Sequence, residues 1–300
     1  RRKNMKYSVA IDIGGTNTRV ALADEELNII ERKQFATDSE NPDVTLGKIA
    51  EIIKSFDCDI VGAGMSCPGP LDLINGKILT PPKGQWHNLK VAEELSKLIN
   101  KPVYLENDAN LAGLAEAVVG EGKDYNYVQF FTVSTGLGAG FVINKEIYHG
   151  AHGFGNEVAN CVMMKDGPSH GSIIPGGIEA ISSGTAITSR AVKAGLDVKH
   201  AGEVNDLAKA GNEVAKQIMD DAKEYLANFI GVVYGYADPE IVILGGSVAL
   251  KIDGFVEEVE ALAKERVYEI MKPYVKVRKS TLNEDSGLIG AAYLAFSKAE

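Results

Sequence analysis

Only three cysteines occur, Cys58, Cys67 and Cys161, and none stands at a CxxC or zinc-ribbon spacing. So few and odd a number in 300 residues excludes a disulfide-stapled scaffold and suits a reducing, cytoplasmic compartment. No apolar run reaches the roughly 18 residues of a membrane-spanning helix, so no membrane partner is expected. Positive charge is also short, with 31 Lys and Arg against 41 Asp and Glu and a formal net charge of −10. A nucleic-acid surface needs clustered Lys and Arg, so no nucleic-acid partner is expected. Arg1, Arg2, Lys3 and Asn4 precede Met5 without an apolar segment of signal-peptide type and are read as an appendage outside the fold.

What is present is a 45% hydrophobic composition, enough for a substantial core in one large domain or two ordinary ones. Tyr7 to Ile13 and Thr18 to Asp24 are apolar runs around a Gly14-Gly15 turn, and Ile29 to Thr37 alternates as a third strand. Leu46, Ile49, Ile53 and Phe56 recur at helical spacing. Asp59 to Ser66 reads as a buried strand, Val91 to Asn100 as a helix, Val103 to Glu106 as a strand, and Asp108 to Val119 as a helix with Asp108 at its N-cap. In the second half Phe130 to Ser134 is a strand, Gly136 to Gly140 a glycine turn, and Phe141 to Ile143 a strand. Helices are expected from Gly177 onward, from Asn212 to about Ala237 and from Phe255 to Met271, with strands at Ile241 to Leu244 and Val275 to Val277 and a closing helix from Ser286 to Ala299. The alternation implies α/β architecture with a mostly parallel sheet.

The two glycine turns match at a separation of 122 residues, Asp12 with Ser134 and Gly14 with Gly136, which points to duplicated halves. The first, Asp12-Ile13-Gly14-Gly15-Thr16-Asn17-Thr18-Arg19, lacks the GK[ST] of a P-loop, and a strand rather than a helix follows it. Such a hairpin turns backbone N–H groups of Gly14 and Gly15 toward phosphate oxygens, with Thr16 and Asn17 as side-chain donors. Asp12 is placed to hold Mg²⁺ through waters. A plain hairpin turn accounts for the same residues equally well. The second, Ser134-Thr135-Gly136-Leu137-Gly138-Ala139-Gly140, offers Thr135, Gly136 and Gly138 to a polyphosphate approaching the backbone closely. A third segment ends a buried strand in Gly245-Gly246-Ser247, open to adenine and ribose, or simply a strand-to-helix turn.

Glu106-Asn107-Asp108-Ala109-Asn110 follows a strand and opens a helix, the place where open α/β sheets bind ligands. Asp108 there is either a general base toward a sugar hydroxyl or a helix cap. Glu157 and Glu179 lie in glycine-rich sequence and suit vicinal hydroxyls, and Asn88 offers both a donor and an acceptor.

In their order, DIGGTNTR, Pro68-Gly69-Pro70 with Asp72, Trp86-His87-Asn88, ENDAN, STGLGAG, Asn156-Glu157, and Glu179 before Ser183-Gly184 resemble the ROK family of sugar kinases and sugar-sensing repressors, from about Met5 to the C-terminus. The resemblance implies an actin-like, hexokinase-like (ribonuclease H-like) fold with two lobes around a cleft, residues 5–117 plus 286–300 forming the small lobe and 118–285 the large one. It implies an ATP- and Mg²⁺-dependent kinase acting on the C6 hydroxyl of a hexose, with Asp108 as general base. Asn88, Asn107, Asp108, Glu157 and Glu179 would hold the sugar, beside Gly69, and the chain would form a homodimer. Glucose is the first expectation; N-acetylmannosamine, another amino sugar, fructose and glucosides are the alternatives. A sugar-sensing regulator without its DNA-binding domain, and an inactive sugar-binding relic, are alternatives of other classes. The short stretch before the first motif speaks against the former, and intact Asp12 and Asp108 against the latter.

One departure from the family pattern stands out. Many members carry a structural zinc on one His and three Cys, and those positions fall here on Asn160, His170, Ser172 and Gly177. Tetrahedral zinc takes four N or S ligands, so no structural zinc is expected, and His149 and His152 nearby do not replace it. Asn160 is expected to stand in for the family histidine at the sugar.

Overall fold

The computed structural model describes residues 5–79, 86–282 and 285–299; residues 1–4 lie outside the described residues. The chain divides into two units. The first comprises the described residues of Arg1–Ala115, His149–Gly153 and Leu282–Glu300, and the second Glu116–Tyr148 and Phe154–Thr281.

In chain order the first unit begins with β1 (Tyr7–Ile13), β2 (Asn17–Asp24), β3 (Ile29–Ala36), α1 (Pro42–Ser55), β4 (Ile60–Cys67), the short pair β5 (Leu71–Asp72) and β6 (Lys77–Ile78), α2 (Val91–Ile99), β7 (Val103–Asn107) and α3 (Asp108–Val118). The boundary between units falls inside α3. The second unit holds β8 (Tyr127–Val133), β9 (Leu137–Ile143), β10 (Glu146–Ile147), α4 (Ile178–Ser182), α5 (Gly184–Lys193), α6 (Ala201–Lys209), α7 (Glu213–Ala237), β11 (Ile241–Gly245), α8 (Gly246–Lys251), α9 (Phe255–Lys264) and β12 (Val277–Lys279). The closing helix α10 (Ser286–Ser297) returns to the first unit.

Both sheets have five strands and one topology. The first runs β3-β2-β1-β4-β7 and the second β10-β9-β8-β11-β12. In each, three antiparallel strands are followed by two parallel ones joined to the first strand of the meander. The edge strand β3 alternates exposed charge, Glu31, Arg32 and Lys33, which protects it from pairing with another chain.

Central strands buried on both faces pack helices on each side. In the first unit, Val9, Ile11, Ile13 and Met65 share a core with Leu46, Ile49 and Ile53 of α1 and Val91 and Leu95 of α2. The opposite face is built of small residues. Ser8 hydroxyl donates to Ala292 carbonyl at 3.2 Å, and a Cβ placed on Gly64 would stand 1.9 Å from Ala291 carbonyl oxygen. There α10 lies backbone against sheet. In the second unit, β8 and β11 share a core with α7, whose 25 residues start at the cap Asn212 and end at Asp238 in left-handed backbone.

Several expectations change. The repeat is offset by 120 residues, not 122: β1 starts at Tyr7 and β8 at Tyr127, β2 at Asn17 and β9 at Leu137. Matching by residue type had paired Asp12 with Ser134; matching by strand position pairs it with Thr132. Gly138 and Gly140 lie in β9 opposite Thr132 and Phe130, so the second turn is Ser134 to Gly136 alone. The helix after Gly177 breaks at Ser183, whose extended backbone and side chain cap α5. Helix α6 was not foreseen, and Phe255 to Met271 is α9 followed by a 3₁₀ turn over Glu269–Tyr274. His149–Gly153 goes with the first unit rather than with its sequence neighbours, because His149 bonds Glu106.

The small-residue face gives a test. Gly64→Ala forces a methyl into helix backbone and is expected to lower stability by about 1–3 kcal/mol or more. Gly287→Ala, where a Cβ meets nothing within 4 Å, is expected to be neutral or stabilising. Urea unfolding midpoints compare the two, and a wild-type midpoint for Gly64→Ala would contradict the close approach of α10.

Candidate active site

In the first unit one row across the sheet carries Arg19, Asp12, Ser66 and Glu106, one residue from each of β2, β1, β4 and β7. Arg19 Nε and Nη2 donate to Asp12 Oδ2 at 3.0 and 2.7 Å. Asp12 is thus anchored by a guanidinium at the end of β1. The turn beyond it is tied down: Gly14 N–H donates to Asn17 carbonyl at 3.0 Å, Thr37 hydroxyl to Gly14 carbonyl at 2.8 Å, and Thr37 N–H to Thr16 carbonyl at 2.9 Å. Gly14 therefore spends its N–H on closing the turn, a correction to its expected role as a phosphate donor. Gly15, Thr16 and Asn17 are exposed at the tip.

The ENDAN segment makes the passage from β7 to α3 in one residue. Asn107 Oδ1 accepts from Ala109 N–H at 2.9 Å and Asn110 N–H at 3.3 Å, so the cap is Asn107 and not Asp108. Asp108 becomes the first helical residue, its Oδ1 accepting its neighbour Ala109 N–H at 2.8 Å. Behind the turn, Glu106 is 2% exposed and accepts from Asn107 N–H at 2.8 Å, Asn110 Nδ2 at 2.9 Å and His149 Nε2 at 2.6 Å. Cys67 pairs with Asn107 across the sheet. Burial pushes its thiol up to about 12, and the charges of Asp108 and then Asp12 push in the same direction. Both carboxylates thus act on one buried sulfur.

Asn88 follows Trp86, which is buried and donates its indole N–H to Asp38 carbonyl at 3.1 Å. That anchor leaves Asn88 exposed in left-handed backbone, its N–H bonded to Ile78 carbonyl at 2.8 Å and its Nδ2 3.1 Å from His87 Nε2. Gly69 is exposed, just past the end of β4.

In the second unit the Ser134–Gly136 turn is gripped by two helix starts. Ser134 carbonyl accepts Gly184 N–H at 2.7 Å, Thr135 carbonyl accepts Thr185 hydroxyl at 2.5 Å, and Ser134 and Ser247 hydroxyls lie 3.2 Å apart. Gly246 has φ +86° and a Cβ there would stand 2.5 Å from Val133 carbonyl oxygen, so only glycine lets β11 turn into α8 here. A cavity of about 550 Å³ opens beside these segments, lined by Thr135 and Ser247 among the expected segments, and also by Lys199, His200, Asp206 and Lys251. Gly136, Gly138, Gly245 and Gly246 do not line it; Gly136, Gly245 and Gly246 shape the adjacent turns, and Gly138 is a residue of β9. Its size suits a nucleotide, and its two lysines suit phosphate. No motif marked Lys199, His200 or Lys251: the first two lie in the bend that leads into α6, with His200 as its N-cap, and Lys251 ends α8.

Glu179 Oε2 accepts Leu137 N–H at 2.8 Å, and a Cβ on Gly136 would stand 2.7 Å from the same oxygen. The second motif and Glu179 are therefore one assembly. Glu179 N–H donates to Ala159 carbonyl at 3.2 Å, which ties the Glu157 loop to the same helix start. Glu157 is exposed at its edge, yet partial burial of its carboxyl raises its pKa above the ordinary value.

At the position of the family zinc the donors do not fit the metal. Asn160 Oδ1 accepts Ile174 N–H at 2.9 Å and His170 Nε2 lies 2.9 Å from Thr185 hydroxyl, while Ser172 and Gly177 offer no thiolate. Among the described residues no group of three His, Cys, Asp or Glu is placed to hold a metal ion. His149 serves Glu106.

The thiols give a check on this geometry. Under alkylation of the native protein near pH 8, exposed Cys161 is expected to react and Cys67 to stay unmodified until denaturant is added, as read by peptide mass spectrometry. Native labelling of Cys67 would show that the thiol beneath Asp12 and Asp108 is not buried.

Comparison with known proteins places this arrangement. The glucokinase of Thermotoga maritima is 31% identical over 309 residues, spanning 95% of each chain. The N-acetylmannosamine kinase of Salmonella heidelberg is 30% identical over 302 residues, 96% of this chain and 98% of its own. The xylose repressor of Bacillus spizizenii is 24% identical over 96% of this chain and 76% of its own. Among solved structures, a ROK hexokinase from Thermus thermophilus superposes with a TM-score of 0.88 at 27% identity, covering 97% of this chain and 99% of that one. The family model described as the ROK family matches residues 8–298. With its two mixed α/β units, each built on a five-stranded sheet, this chain belongs to the ROK family.

Proposed function

We propose that this protein is an ATP- and Mg²⁺-dependent kinase that transfers a phosphoryl group to the C6 hydroxyl of a hexose, glucose first, with N-acetylmannosamine or another amino sugar and fructose as alternatives. The observation that carries the reading is the pair of carboxylates, Asp12 and Asp108, both bearing on the Cys67 thiol. A group suited to a hydrated cation and a group suited to accept a proton thus both lie within charge range of one buried thiol in one unit. The kinase relatives at 30% identity and above, alike over nearly their whole length, support it.

ATP would supply the phosphoryl group, and Mg²⁺ the charge that offsets its phosphates. Asp12, fixed by Arg19, would hold the hydrated cation. Gly15, Thr16 and Asn17 of the first turn, with Thr135 of the second, would donate to phosphate oxygens, and Lys199 and Lys251 would draw the nucleotide into the cavity of the second unit. Asp108 would take the proton of the attacking hydroxymethyl oxygen. Asn88, Asn107 and Gly69, with Glu157 and Glu179, would hold the remaining hydroxyls. Asn160 has its oxygen engaged by Ile174, so it would offer the sugar chiefly its Nδ2 donor. Exposed Val232, Tyr236, Tyr268, Ile270 and Tyr274 in the second unit support self-association as a homodimer.

A sugar panel in a coupled ADP-release assay tests the activity and names the substrate. On the best sugar, Asp108→Asn is expected to lower kcat by about 10²–10⁴-fold while calorimetric sugar affinity stays near wild type. Near-normal turnover by this variant would remove Asp108 from the reaction.

A further inference from the structure

A buried carboxylate that no part of the proposed reaction uses stands directly behind the reacting turn. Glu106 Oε1 takes Asn107 N–H and Asn110 Nδ2, and Oε2 takes His149 Nε2. Of these three donors only His149 can carry a charge. Asn110 is itself 4% exposed, and its Oδ1 has no partner among the described residues. Its amide is held by Glu106 alone; turned over, it would set a carbonyl against a carboxylate. Glu106 is therefore the point at which the backbone of Asn107, the side chain of Asn110 and the segment His149–Gly153 are joined.

An ionised carboxylate this deeply buried is stable only with its donors in place and its charge offset. Deleting the histidine leaves two neutral donors and an uncompensated anion. The remaining way to lower its energy is to protonate or to turn toward water, and either change loosens the bond to Asn107 N–H. Asn107 caps α3 and precedes Asp108, so that loosening moves the base.

We propose that His149 is a positioning residue for phosphoryl transfer: through Glu106 it fixes the turn that carries Asn107 and Asp108, without itself meeting sugar or nucleotide. This rests on the kinase reading above. The charged groups bearing on His149 are Glu106 at the end of β7 and Lys298 just past α10. The bond to Glu106 outweighs burial and Lys298, so the imidazole holds its proton above its ordinary pKa. The sign follows. The ion pair is complete below the ordinary histidine value and is lost as pH rises through the raised one. Above that, neutral imidazole still donates from Nε2 but no longer offsets the charge.

The test measures kcat and both KM values from pH 6 to 9.5 on wild type, His149→Ala and His149→Gln, with melting temperatures recorded alongside. His149→Ala is expected to lower kcat by about ten- to a hundredfold, with nucleotide KM within about twofold of wild type, at temperatures where it remains folded. His149→Gln, which keeps a donor without a charge, is expected to recover part of that loss at neutral pH, to about the level wild type reaches once its imidazole is neutral. It is also expected to lack the alkaline fall in kcat that wild type shows. An active wild type matched in kcat and pH profile by His149→Ala would overturn the inference alone. So would a His149→Gln variant no better than His149→Ala, since the histidine would then be filling space. A wild type that phosphorylates no sugar on the panel would sink the kinase reading and this inference together.

Discussion

In the proposed kinase, the placement of Asp108 would depend on one side-chain bond, from Ala109 N–H to Asn107 Oδ1. It ends a strand and begins a helix with no intervening loop. A loop there would carry Asp108 on mobile backbone. With the cap in place, Asp108 is the first residue of a helix whose body is buried, and its position is inherited from the sheet through β7. The sheet reaches the same point a second way, since Glu106 lies in the row with Arg19, Asp12 and Ser66. The cap fixes where the carboxylate stands, and the row fixes what stands beside it.

The two units show how one topology is put to two uses. Each has a meander whose first turn is tied from outside, by Thr37 in the first unit and by Gly184 and Thr185 in the second. The first turn keeps an acid at the strand end, Asp12, and holds it with Arg19. The second has Thr132 at the equivalent place and surrounds its turn with hydroxyls and glycines, where helix starts approach the backbone closely. The acid at the second turn comes instead from α4, where Glu179 Oε2 accepts Leu137 N–H, and Asp206 lines the neighbouring cavity together with Lys199 and Lys251.

Much of this was legible in the sequence because hairpins and strand ends write themselves in short local patterns. Gly14-Gly15, Gly245-Gly246 and ENDAN each combine backbone need and chemistry within a few residues. What was not legible is what distance in sequence hides. The bond from His149 to Glu106 spans 43 residues and has no motif at either end. Lys199, His200 and Lys251 come together only through the packing of α6 and α8. Matching glycine to glycine gives an offset of 122 residues rather than 120, because Gly138 and Gly140 are strand residues paired with Thr132 and Phe130. Asp108 was read as a cap because aspartate commonly caps helices; Asn107, one residue earlier, does so as well, and the strand runs far enough to reach it.

The stretch from Asn156 to Glu179 is held by a set of ordinary hydrogen bonds. In family members with zinc, one ion ties this loop together. Here Met163 and Met164 N–H both meet Gly176 carbonyl, Ile178 N–H meets Cys161 carbonyl, Glu179 N–H meets Ala159 carbonyl, and Asn160 Oδ1 takes Ile174 N–H. Each such bond contributes about 0.5–1.5 kcal/mol, so the set can replace a single strong tie only by acting together. The exchange has a chemical consequence at the sugar. A zinc-bound imidazole presents one N–H in a direction set by the metal, whereas an amide whose oxygen is committed to backbone presents an NH₂ group in the amide plane. In the proposed sugar site, Asn160 would present a planar donor from a loop held by these hydrogen bonds. On that reading, a hexose whose substituent there accepts such a donor would be favoured.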